Sequence, residues 1–251
     1  MLKLEILPGK TREVFDYLYG SKAFRDIDMR LFGGTALALL LGHRLSEDLD
    51  FFCTEPLLPK TQLKHLLTLM REEGFQICDI MNPVRRTQAR INGIFLDDYI
   101  QEYSVNGVKV SFCTFSKGSA SRQHHFSNAP VLTPEDAGFS IPTLQTLFES
   151  KAVVLMDRVM SRDLFDLMVL IRDHGYTLND LMCAIMTIDE RSQNEALSVL
   201  EILVGTVPMQ ASDPGFATTG LEADLAQIHA FFADRVDPFE RQMAREAITK
   251  A

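Results

Sequence analysis

Residues 31–52, LFGGTALALLLGHRLSEDLDFF, constrain the fold more than any other stretch of the chain. A short apolar run ends at Phe32 and meets the glycine pair Gly33-Gly34. A helical run follows over residues 35–41, then a polar connection over 43–47, then Asp48-Leu49-Asp50 in apolar surroundings. The pattern predicts strand, tight turn, helix, strand. Glycines at the turn let backbone come close to a ligand, and the free N–H groups of a helix start favour phosphate. Side chains at i and i+2 of a strand share a face, roughly 6.6 Å apart, so Asp48 and Asp50 can reach one divalent cation. Phosphate beside a carboxylate pair is what metal-assisted transfer at phosphorus requires.

Composition narrows the setting. With 251 residues, 46% hydrophobic and 24% charged, the chain can bury one large core or two smaller ones. Cys53, Cys78, Cys113 and Cys183 are scattered with no C-x-x-C pair, which argues against a zinc site or a disulfide framework and for reduced thiols. No signal-like segment opens the sequence, and the longest apolar run, residues 36–41, is too short to span a bilayer; a cytoplasmic protein without a membrane partner is expected. The net charge of −9 is uneven. Residues 1–130 hold 16 Lys and Arg against 15 Asp and Glu; the remainder hold 9 against 19. Overall acidity opposes non-specific DNA binding but leaves room for RNA at a local basic patch in the first half.

The periodicity predicts a helix over 11–18, strands over 29–32 and 48–53, and an amphipathic helix over 59–74. Sheet is expected over 75–114, with a strand near 75–80, a strand pair about Asn92-Gly93 and a hairpin about Asn106-Gly107. Residues 116–128 read as loop, so His124-His125 read as solvated rather than metal-binding. Arg85, Arg86 and Arg90 read equally as an RNA grip or as charges guarding a sheet edge. From Pro134 onward the pattern turns helical: 142–156, 162–174, 178–188, 190–204, 221–232 and 238–248, with a long loop over 205–220. The expected class is α+β, a mixed sheet with flanking helices over residues 1–138 followed by an all-helical domain over 139–251.

The spacing GG-x13-D-x-D resembles the nucleotidyltransferase superfamily signature. The fuller wording, GGTAL followed by His43-Arg44-x-Ser46-x-Asp48-x-Asp50-Phe51-Phe52, resembles its AbiEii/AbiGii toxin branch. A second block, Lys151-x6-Arg158-x3-Arg162-Asp163-x2-Asp166, is similar to that family's helical motifs. The resemblance covers residues 25–175. It implies a nucleotidyltransferase-like fold and transfer of a nucleoside monophosphate from an NTP to tRNA or protein. The cofactor would be Mg²⁺, with Mn²⁺ as an alternative. As the toxin of a toxin–antitoxin pair, the chain would have a cognate antitoxin as partner. The alternative is a nucleotide- or partner-binding module of the same fold with weak or no turnover.

The resemblance also implies roles. Gly33 and Gly34 would cradle the triphosphate, with Thr35 as a further donor. Asp48 and Asp50 would hold the metal. Arg44 and Ser46 would fix the loop before the metal strand, with Arg44 touching phosphate. Lys151 would neutralise phosphate charge, and Asp166, or else Asp163, would orient Lys151 or the attacking group. The bland alternative for Arg162 and Asp166 is a surface i,i+4 pair. One departure stands out. The superfamily commonly adds a third carboxylate from a neighbouring strand, and here the strand over 108–112 carries Ser111 at that position, with Lys109 and Cys113 on the same face. Asp97 and Asp98 are the substitutes to consider.

Overall fold

The computed structural model describes residues 2–132 and 137–250. Pro134, where the helical pattern is expected to begin, lies outside the described residues. The elements run α1 (Gly9–Gly20), α2 (Lys22–Arg25), β1 (Met29–Phe32), α3 (Gly33–Leu41), β2 (Leu49–Cys53), α4 (Lys60–Glu72), β3 (Ile77–Asp79), α5 (Pro83–Ile91), β4 (Ile100–Val105), β5 (Val108–Cys113), α6 (Ala120–Asn128), β6 (Val131–Leu132) and β7 (Ile141–Pro142). Helices α7 (Leu144–Val154), α8 (Ser161–Asp173), α9 (Leu178–Ile188), α10 (Gln193–Leu203) and α11 (Leu225–Lys250) follow. The expected α+β class is what forms. Two compact units divide the chain, Met1–Leu147 and Phe148–Ala251.

The first unit is built on a five-stranded sheet in the order β1-β2-β5-β4-β3. Only the β2–β5 pair is parallel; the other pairs are antiparallel. The core on one side is aromatic, with Phe24, Phe51, Phe112 and Phe139 meeting mostly edge to face. Such pairs add about 0.5–1.5 kcal/mol each beyond their burial. The hairpin between β4 and β5 turns on Asn106 and Gly107, both at positive φ, as a two-residue turn matched to strand twist demands.

The unit boundary falls nine residues beyond the expected 138. Ser140 extends the sheet edge, its N–H donating to Met29 and its C=O accepting from Leu31, and β7 pairs with β6. Those backbone bonds hold residues 139–142 in the first unit.

Three local expectations give way. Residues 83–91 form helix α5 instead of a strand. Asn82 caps it by accepting from Val84 and Arg85, Pro83 sits in its first turn, and Asn92-Gly93 ends it. Residues 120–128 form α6 instead of loop, capped by the Ser119 hydroxyl and anchored by buried Phe126. The two C-terminal helices expected at 221–232 and 238–248 are one, α11, which continues through Pro238. The second unit is otherwise helical, as expected. Capping boxes at Thr177/Asp180 and Ser192/Glu195 start α9 and α10. Among the described residues no helix is long and apolar enough to cross a membrane.

Candidate active site

In the first unit, β1 delivers the chain directly into α3. Phe32 is the N-cap, so Gly33, Gly34 and Thr35 are the first three helical residues, and their N–H groups have no intrahelical acceptor. The β1–β2 register pairs Phe32 with Asp50, which sets the glycine corner beside that carboxylate. Gly33 has φ +72°, and a Cβ there would stand 2.9 Å from Asp50 Oδ2. A Cβ on Gly34 would stand 2.2 Å from Arg44 Nη2, so the buried Arg44 guanidinium lies over the second glycine. The two glycines therefore admit different neighbours: one a carboxylate, the other a cation.

The connection over 43–47 is pinned from three sides. The Thr35 hydroxyl donates to the Asp48 carbonyl and lies 2.7 Å from Ser46 Oγ. Thr35 has one hydroxyl proton, so Ser46 supplies the proton between the two hydroxyls. Thr11 Oγ1 donates to the Glu47 carbonyl at 3.0 Å. Thr35 and Ser46 are thus buried positioning residues. The Thr35 hydroxyl, expected as a donor to phosphate, is committed to the loop, and only its N–H belongs to the helix start. Arg44 donates to the Leu45 carbonyl at 3.0 Å, which helps hold the same loop.

Beyond Asp50 the sheet register continues the site. Asp50 pairs with Ser111 on β5, and Ser111 Oγ donates to Asp50 Oδ1. Ser111 in turn lies opposite Glu102 on β4. Side chains directly opposite share a face, so Asp50, Ser111 and Glu102 form a row across three strands. Glu102 binds Lys109 at 3.1 Å. Burial works against the Lys109 charge, but the Glu102 hydrogen bond and the fields of Glu102, Asp50 and Asp48 outweigh it and raise its pKa. Burial, then the charge of Asp50, pushes the Cys113 thiol up to about 12, so it stays protonated at neutral pH. Asp97 and Asp98 do not fill the gap left by Ser111: Asp97 is held by Arg86 at 2.8 Å, and Asp98 by Lys60. Arg86 also holds Asp79, at 2.7 Å, while Arg85 and Arg90 are exposed on α5.

Among the described residues no group of three His, Cys, Asp or Glu is placed to hold a metal ion. The donors at hand are the Asp50 carboxylate beside Gly33 and the Asp48 carboxylate two residues earlier in the chain, with the protonated Cys113 thiol nearby. That set suits a hard cation which takes its remaining ligands from water and phosphate oxygens, as Mg²⁺ does.

In the second unit, α7 carries Lys151 and α8 carries Asp163 and Asp166, three residues apart on one helix face. Lys151 Nζ binds Asp163 Oδ1 at 2.6 Å and Asp166 Oδ2 at 2.7 Å. Arg158 Nε binds the other oxygen of Asp163 at 3.1 Å. The three central residues are 5%, 2% and 0% exposed, so Lys151 is a pinned, buried ammonium rather than a flexible surface charge. Burial opposes the Asp163 charge, yet Lys151 and Arg158 hold its pKa below the ordinary value. Asp166 and Asp163 both engage Lys151, and Asp163 also engages the half-exposed Arg158.

Glu102 is the residue that the sequence pattern conceals. The signal for it is the two-residue turn: counting outward from Asn106-Gly107 pairs Ser111 with Glu102.

Substitution of Gly33 by alanine is expected to cost roughly 1–2 kcal/mol through strain at positive φ and to push Asp50 aside. A urea titration reads the first effect, and weaker Mn²⁺ binding reads the second.

A family model described as Nucleotidyl transferase AbiEii toxin, Type IV TA system, matches residues 16–249. An uncharacterized protein of Aquifex aeolicus is 28% identical over 158 residues, 61% of this chain; the chain spans 63% of that relative's length. Among solved structures, JHP933 from Helicobacter pylori is 19% identical, with a TM-score of 0.47 and coverage of 96% of this chain and 97% of that one. MenT4, a nucleotidyltransferase toxin from Mycobacterium tuberculosis, is 14% identical, with a TM-score of 0.45 and coverage of 90% and 86%.

Proposed function

The chain belongs to the AbiEii nucleotidyl transferase toxin family, and on that premise we propose that it moves a nucleoside monophosphate from an NTP to a macromolecular acceptor, as the toxin of a toxin–antitoxin pair in the cytoplasm. The acceptor is tRNA or a protein side chain, and the partner is a cognate antitoxin.

One observation carries the reading. The start of α3 and the Asp50 carboxylate meet where a Cβ would crowd the carboxylate, which leaves the helix N–H groups beside Asp50. The N–H groups of Gly33, Gly34 and Thr35 bind triphosphate oxygens at the positive end of α3, worth about half a unit charge. Asp48 and Asp50 would hold Mg²⁺, which when bound neutralises charge on the reacting phosphate and the leaving pyrophosphate. Arg44 holds the loop that presents Asp48 and lends positive charge beside the glycines. Lys151 keeps the role that the resemblance implies, compensation of phosphate charge, with Asp163 and Asp166 setting its position within the second unit. Catalysis is then mainly orientation and charge compensation.

Purified protein incubated with total RNA and each α-labelled NTP should transfer label to a macromolecule, and Asp48→Ala should not. Absence of transfer to RNA or protein with either Mg²⁺ or Mn²⁺ overturns the proposal.

A further inference from the structure

The face beside the glycine corner carries a hydroxyl and an ammonium where the resemblance implies a third carboxylate. Where the neighbouring strand would carry an acid it carries Ser111, and the Ser111 proton goes to Asp50. Two residues earlier on β5 stands Lys109, whose side chain shares the Ser111 face. Glu102, opposite Ser111 on β4, reaches diagonally to bind it.

We propose that Lys109, held in place by Glu102, is a resident cation of the acidic face that takes the place of a second metal ion and makes this a one-metal site. The inference rests on the metal-dependent function above and deepens it.

Charge and geometry agree. Asp48, Asp50 and Glu102 bring three carboxylates to the face, and Lys109 brings one ammonium. The Arg44 guanidinium over Gly34 adds a second positive charge, so one divalent ion already leaves the set one charge in excess and a second would leave it three in excess. Two ions about 4 Å apart need bridging carboxylates to hold them, and Ser111 offers a hydroxyl that already donates to Asp50. Lys109 lies within the fields of both Asp48 and Asp50. An ammonium there compensates phosphate charge without ligands of its own, as a lysine does at phosphate sites. Glu102 keeps that ammonium from settling on Asp48 and Asp50, where it would compete with the metal. Lys109 and Glu102 are therefore positioning residues, and their removal has opposite effects on metal affinity.

The test is a Mn²⁺ titration of the full chain followed by electron paramagnetic resonance, with no nucleotide present. The wild type should take one Mn²⁺. Lys109→Met should bind it about tenfold more tightly, because a like charge near the ion is gone. Glu102→Gln should bind it about tenfold more weakly, because the released ammonium turns on the aspartates and a carboxylate is lost. Both side chains are partly exposed, so thermal unfolding should confirm that both variants fold. Two Mn²⁺ per wild-type chain, or equal affinity in all three proteins, overturns the inference. If Asp48→Ala also leaves Mn²⁺ binding unchanged, the metal site itself falls; if it abolishes binding, a failure belongs to Lys109 alone.

Discussion

Replacing Asp50 with asparagine should reduce nucleotidyl transfer about a thousandfold, the scale seen when one electrostatic contact to a transition state is lost. Asparagine keeps the size of the side chain and still accepts the Ser111 hydroxyl, so the β2–β5 contact survives. The change removes one charge at the centre of the row formed by Asp50, Ser111 and Glu102, beside the Gly33 backbone. Stability should hold within about 1 kcal/mol, because the side chain is half-buried and no new polar group is stranded. Initial rates of label transfer from an α-labelled NTP, together with a urea titration, separate the two effects. A variant that retains a tenth of wild-type activity would remove Asp50 from the metal site.

The second large effect concerns stability. Lys151→Met leaves Asp163 and Asp166 buried without their shared cation, and loss of one partner of a buried ion pair costs about 3–5 kcal/mol. Its pH dependence identifies the cause. In the wild type the Asp163 pKa is lowered, so its stabilisation is complete above the ordinary carboxylate pKa of about 4 and is lost as pH falls through the lowered value. In Lys151→Met the two carboxylates are buried without the ammonium, their pKa values rise, and protonation relieves them as pH falls. The stability gap between the two proteins should therefore narrow between pH 7 and pH 4. Denaturant unfolding at several pH values measures it, and a gap that stays constant would mean that the cost is packing rather than charge.

Residues 31–52 declare their structure because each signal has a local cause. A glycine pair at a strand end, a helical apolar run and alternating acids are all resolved within one turn of chain. The Asn106-Gly107 hairpin is equally open, since its turn type demands those residues. What stayed hidden depends on distant partners or on ambiguous punctuation. Asn82-Pro83 interrupts a strand and starts a helix with equal ease, and the Asp79 and Asp97 contacts to Arg86 that fasten α5 are visible only in three dimensions. Helix α6 is polar along most of its length, and buried Phe126 is its main apolar anchor. Pro238 ordinarily ends a helix, yet α11 runs through it. Lysine and aspartate are rarely buried, so the depth of Lys151, Asp163 and Asp166 could not be read from their types. The motif spacing singled them out; only the structure shows that they bind one another.

The turn at Asn106-Gly107 has an influence out of proportion to its two residues. Loop tips ordinarily tolerate extra residues well, but side chains on a strand alternate strictly. One residue added there, with β4 kept in place, would rotate Lys109 and Ser111 to the aromatic side and bring Val108, Val110 and Phe112 up against the acids. The length of a surface bend, as much as any acidic side chain, decides whether this sheet presents charge or oil to a nucleotide.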